Sequence, residues 1–171
     1  MPFTAADGGR KVTVLTTKPA NLQAVTATEA NAGIDIHDHV LKSDYRLSPT
    51  GSTTHNDTPL GAKGQHSHFA QSQASGNVTP FRDLDANGRP LTDSDTETVF
   101  ALFKEKGQEM WVMDRLGPDP DEEWTAADEY SIYTVRPDDM QDPSDGGGFI
   151  KYVTPLAVGE FFRFQKIAAA G

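Results

Sequence analysis

No cysteine occurs among the 171 residues. Disulfide frameworks, thiolate zinc sites and cysteine nucleophiles are therefore excluded together. Long apolar runs are also missing. Met1, Pro2 and Phe3 lead into polar sequence with neither a signal-peptide core nor a membrane-spanning stretch, which predicts a soluble protein made in a cytosol. Basic residues are scarce: 15 Lys and Arg stand against 25 Asp and Glu, a net charge of −10. Such a surface repels nucleic acid at long range and has no basic stripe to neutralise phosphates, which argues against specific DNA or RNA binding. Helix signals are nearly absent too, and hydrophobic content is only 36%. Nucleophile elbow, phosphate loop, dinucleotide fingerprint and kinase signature are all lacking.

What is present is β periodicity and turn chemistry. The length predicts one domain, residues 1–171, able to bury roughly two thirds of its unfolded surface. With 15 Gly and 11 Pro the composition suits a loop-rich β protein. One helix is expected over residues 94–106 (SDTETVFALFKEK). Ser94 and Glu97 have capping-box spacing, acids crowd the first turn, and Val99, Leu102 and Phe103 share a face. Gly107 follows where a left-handed residue is wanted. A single short helix covers part of one sheet face only, so strand edges must be covered by closure of the sheet or by other copies of the chain.

Strands are expected at 11–17, at 34–42 with a bend near Asp38, and at 43–47. Others are expected in a pair 65–70 and 77–82 connected through Ser75-Gly76, and at 108–115 and 129–136. A final pair, 149–158 and 160–167, joins around Val158-Gly159. The 108–115 segment is apolar on both alternations, which predicts a central strand covered on both faces. Residues 18–33 read mostly as loop, with a short helical turn near 28–32. Residues 48–64 (SPTGSTTHNDTPLGAKG) are rich in Gly, Pro, Ser and Thr and predict a long mobile loop.

All 5 histidines lie between residues 37 and 68. His37 with His39, and His66 with His68, have the H-x-H spacing that lets two rings on one strand face chelate a metal, with Asp35, Asp38 or Asp57 completing an open site. Two polar strand faces beside a solvated loop explain the same pattern, so the reading is no cofactor and no metal, with these four as the candidates if one is held. Residues 83–88 (DLDANG) open like a calcium loop, but the twelfth position is Ser94 and not a bidentate acid, so a turn is expected. The pairs Glu122-Glu123 and Asp138-Asp139 read as solvated charge and not as a glycosidase dyad.

Four stretches together carry a family likeness: residues 30–36 (ANAGIDI), residues 41–47 (LKSDYRL) with 49–52 (PTGS), residues 98–107 (TVFALFKEKG) leading to Trp111, and residues 148–158 (GFIKYVTPLAV). In their order and spacing, from about Lys11 to Ile167, the chain resembles the major tail proteins of long-tailed phages infecting actinobacteria. The histidine-rich part, residues 37–68, departs from that family pattern.

The resemblance implies a mainly β, sandwich or barrel-like tail-tube fold flanked by one helix. It implies a non-enzymatic virion subunit, assembled in the host cytoplasm and located in the tail. Six copies would form a ring, and rings would stack into a channel for DNA that passes without specific binding. The implied partners are other copies of the chain and the tape-measure, tail-tip and tail-terminator proteins, with no membrane. The 48–64 loop, including Ser48, Thr50, Ser52, His55, Asp57, Leu60 and Lys63, would then reach a neighbouring ring. The rival readings are a metal-dependent enzyme on a small β-barrel and a monomeric β-sandwich binding module.

Overall fold

The computed structural model describes residues 8–117 and 119–169. The strands are β1 (Arg10–Leu15), β2 (Ile34–Asp35), β3 (Arg46–Thr50), β4 (Thr54–Asp57), β5 (His66–Phe69), β6 (Gln73–Val78), β7 (Met110–Leu116), β8 (Glu129–Pro137) and β9 (Thr154–Lys166). The helices are α1 (Ala27–Asn31) and α2 (Asp95–Lys104). Seven strands form one antiparallel sheet in the order β2-β1-β7-β8-β9-β6-β3, and β4 pairs with β5 alone. The mainly β class expected from the sequence is the observed one.

Strand β7 lies at the centre of the packing, as its two-sided apolar pattern predicts. Met110 and Val112 enter one core with Val12, Val14, Val99, Phe103, Tyr133 and Val135. Trp111 and Met113 enter a second core with Leu15, Val25, Trp124, Tyr130 and Ile132. Successive side chains of a strand point to opposite faces, so the two cores lie on the two sides of the sheet. Helix α2 contributes Val99 and Phe103 to the first core. Residues 20–31, with α1, cover the second.

Several sequence expectations need correction. The strand expected at 34–42 stops at Asp35, because the His39 N–H donates to the Ile36 carbonyl and turns the chain. The extended segment expected at 43–47 begins as a turn, with the Asp44 and Tyr45 N–H groups on the Leu41 carbonyl, and only becomes a strand at Arg46. The pair expected between 65–70 and 77–82 does not form; His66–Phe69 pairs with Thr54–Asp57. Ser75-Gly76 is no connection but lies inside β6, and a Cβ on Gly76 would sit 2.4 Å from Leu47 Cδ2, so β3 and β6 approach closely there. The two closing strands are one, β9, with register shifts between Tyr130 and Ile132 and between Tyr133 and Val135. Gly159 lies at the second of these bulges, where the sequence suggested a break.

The expected capping box at α2 is also absent. Ser94 Oγ donates instead to Asp83 Oδ2 at 2.7 Å, and Glu97 Oε1 accepts from the Asp83 N–H at 2.9 Å. Both side chains are drawn across to the 83–90 turn, where Asp85 accepts the N–H groups of Asn87 and Arg89 and Gly88 takes φ +76°. That turn is an Asx-type reversal, as expected in place of a calcium loop. The capping box lies instead at α1, where Thr26 and Glu29 exchange bonds in the T-x-x-E spacing.

Glu29 does more than cap. Its carboxylate accepts the Ala20 N–H at 2.9 Å and the Thr26 N–H at 2.9 Å, tying the loop before α1 to the helix start. These two backbone donors, the Ala20 group first, hold the Glu29 carboxyl below the usual carboxylate range. With its folded pKa depressed, its contribution is complete above the unfolded value of about 4.3 and is lost as pH falls through the lower folded value. Glu29→Gln is therefore expected to lower the melting temperature at pH 7, by an amount that shrinks as the pH is lowered to 3. Thermal melts at the two pH values check this; a deficit undiminished at pH 3 would contradict the charge-based account.

Candidate assembly surfaces and metal-ligating clusters

Seven of the 17 residues expected as a mobile loop at 48–64, Ser48–Thr50 and Thr54–Asp57, are paired strand. The register explains why. Arg46 pairs with Asn77 and Thr50 with Gln73 in the main sheet, and Thr54 pairs with Phe69 and Asp57 with His66 beyond it. The two ladders keep the same register across the gap, and the Ala70 N–H donates to the Thr53 carbonyl within it. Residues 46–77 are therefore one long hairpin whose distal half leaves the sheet as an arm. The local sequence permits this because STTHND is polar throughout and has no apolar face that would have to be buried.

The arm lacks a core. Every residue of β4 and β5 is exposed. Leu60 at the tip is fully exposed, and Phe69 is 80% exposed. Of the loop candidates, Ser48 and Thr50 lie in β3, Ser52 in the link, His55 and Asp57 in β4, and Leu60 and Lys63 in the end turn. An isolated two-stranded hairpin is marginal in water, so this arm is a poor end state for a solitary subunit.

A second open margin runs along β9. Residues 156–157 are paired on both sides, with β8 and β6, and 154–155 pair with β6. Beyond them β6 diverges into the arm, and among the described residues no strand pairs with 158–166 on that side. Within this stretch, at the first bulge, Phe164 has φ +57° and is 64% exposed. Left-handed backbone in a bulge suits glycine; a bulky residue there is strained, a pattern that clusters where structure serves function. Leu116 and Phe164 border one shallow cavity of about 160 Å³ with Leu47, Tyr133 and Arg163. Exposed apolar side chains beside an unpaired strand edge form an adhesive margin.

The two histidine pairs differ. His37 and His39 do not share a strand face, since residues 37–38 form a turn. His37 Nε2 lies 3.4 Å from Asp121 Oδ1 and 3.8 Å from Asp38 Oδ2, whereas His39 Nδ1 meets Thr96 Oγ1 at 3.0 Å. The His37–Asp38–Asp121 group borders a cavity of about 470 Å³ with Asp35 and Asp95. Asp121 was not legible as its member, because the two segments are distant in sequence. His66 and His68 do share a face of β5, as their spacing predicts.

The acidic turn at 119–128 holds a further surprise. Lys11 and Arg115 are directly opposed on β1 and β7, and both are almost fully buried. Arg115 donates to the carbonyls of Asp119, Glu122 and Glu123 and to the Asp128 carboxylate, with its guanidinium 5.0 Å from the Trp124 ring centre. Lys11 Nζ donates to Asp35 Oδ2 at 2.6 Å and to the Pro120 carbonyl at 3.0 Å. Two adjacent buried cations thus fold the acidic turn down over the sheet. Glu122 and Glu123 stay exposed, as expected, and contribute their carbonyls rather than their charge.

No curated protein matched the sequence. Among solved structures the chain is similar to one from the "Cryo-EM structure of the anti-feeding prophage (AFP) baseplate, 6-fold symmetrised", with a TM-score of 0.51 and 14% identity, covering 96% of this chain and 98% of that one. That likeness supports the fold alone. The family described as phage tail tube protein matches residues 1–171. The chain belongs to the phage tail tube protein family and is a structural protein of a phage tail.

Proposed function

We propose that the chain is the repeating subunit of a tail tube, assembling into rings, six copies to each, that stack around a channel for DNA. The observation that carries this reading is the pair of open surfaces, the distal arm of the 46–77 hairpin and residues 158–166 of β9. Strand addition at the β9 margin joins neighbours within a ring, and closing the ring leaves no free edge there. The arm reaches along the axis to the next ring, a head-to-tail contact that repeats without closing and so gives a filament. The subunit works by shape and cohesion, without catalysis. Its partners are copies of itself, with tape-measure, tail-tip and tail-terminator proteins at the ends, first in the host cytoplasm and finally in the virion. The net charge of −10 gives a lumen of like sign to DNA a physical use, since a negative wall lets the phosphate backbone slide without capture.

Electron microscopy of the concentrated protein tests the proposal. Rings or hollow tubes are the expected result. A subunit that stays monomeric at every concentration, with or without tail-tip protein to nucleate it, would overturn it in favour of a solitary binding module.

A further inference from the structure

The register of the arm places four metal-ligating side chains on one face. His55 is directly opposite His68, and Asp57 is directly opposite His66. Residues two apart on a strand share a face, so His55, Asp57, His66 and His68 form a quartet, while Thr54, Asn56, Ser67 and Phe69 occupy the other side. The rings of His55 and His68 lie 6.1 Å apart, and His68 Nε2 is 3.9 Å from Asp57 Oδ2. His68 therefore stands between a second imidazole and a carboxylate.

We propose that this face binds a divalent ion of the borderline class, Zn²⁺ or Ni²⁺, with His55, His68 and Asp57 as ligands and His66 as the fourth. Three imidazoles with one carboxylate suit these ions rather than Ca²⁺ or Mg²⁺, which take oxygen ligands. Directly opposed positions hold their Cβ atoms about 5 Å apart, within the span two imidazoles bridge around one ion at about 2.1 Å from each nitrogen. The side chains are exposed, so turning them toward an ion displaces nothing packed in either core. The ion would cross-link β4 to β5 and stiffen an arm that lacks a core. The site belongs to the single chain, so it stands or falls separately from the tube reading.

The test is titration of Zn²⁺ into the full chain at pH 7.5 by calorimetry. One ion per chain is expected, with a Kd of about 10 μM or tighter. His55→Ala and His68→Ala should each weaken binding by at least about tenfold, with melting temperatures unchanged because both residues are exposed. His37→Ala should leave binding intact. No heat of binding would overturn the proposal. So would zinc that survives both arm variants but is lost in His37→Ala, which would place the ion at the His37–Asp38–Asp121 group.

Discussion

Replacing residues 52–71 by Asn-Gly is expected to leave a subunit that folds normally and no longer polymerises. The replacement is geometrically quiet. Thr50 pairs with Gln73, and the same register sets Gly51 against Ser72, so a two-residue turn closes the shortened hairpin without shifting β3 or β6. Nothing between 52 and 71 belongs to either core. The melting temperature should therefore stay within about 3 °C, the shift expected from about 1 kcal/mol in a domain of this size. The effect on assembly should be far larger. On the proposed assembly, burying Leu60 and Phe69 against a neighbouring ring would contribute roughly 1.5–3 kcal/mol each, so losing both would remove about 3 kcal/mol or more. That raises the concentration needed for polymerisation at least about 100-fold. Sedimentation of wild type and variant across a concentration series reads this directly. Equal polymerisation would remove the arm from the assembly mechanism, and a variant that fails to fold would show that the arm supports the subunit itself.

The arm also marks where sequence reading reaches its limit. Residues 48–64 have the composition of a loop because nothing on either face of the hairpin needs burial in the single chain. Hydrophobic alternation is the signal that identifies a strand, and a strand meant for a neighbour, or for solvent, has no reason to display it within its own fold. Strand β7 is the opposite case: it is buried on both faces, carries the apolar side chains this demands, and was legible for that reason. The H-x-H spacing of His66 and His68 was legible as well, but their partners His55 and Asp57 became visible only through the pairing register. Spacing within a strand is local, whereas opposition across a hairpin depends on where the turn falls.

The missed capping box has a similar lesson. Ser94 and Glu97 matched the pattern that Thr26 and Glu29 actually use. Asp83 and its backbone N–H, eleven and fourteen residues away, competed successfully for both side chains at α2. A capping motif states what two side chains can do. Whether they do it depends on which other donors the fold brings within reach, and at α1 Glu29 takes the Ala20 N–H on one oxygen while keeping Thr26 on the other.

Lys11 and Arg115 were invisible for a different reason: a cation in a strand reads as a solvent-facing position, and here both are interior. Their burial makes the largest single-residue prediction. Arg115→Met should destabilise the subunit by about 3–5 kcal/mol, because it leaves Asp128 and three loop carbonyls without their buried donor. At about 2–4 °C per kcal/mol, the melting temperature should fall by roughly 10 °C. The Trp124 ring, now 2% exposed beneath the guanidinium, should become accessible as residues 119–128 lift away, with a red shift in its fluorescence. Since Arg115 holds Glu122 and Glu123 by their carbonyl oxygens, the double change Glu122→Gln with Glu123→Gln should alter neither the melting temperature nor the fluorescence. Asp128→Asn should fall between the two, because Asp128 meets the guanidinium with its carboxylate and also accepts the Thr125 N–H at 2.8 Å. If the glutamate pair proved as costly as Arg115→Met, the acidic turn would be held by charge at its surface, and the buried cation would not be its anchor.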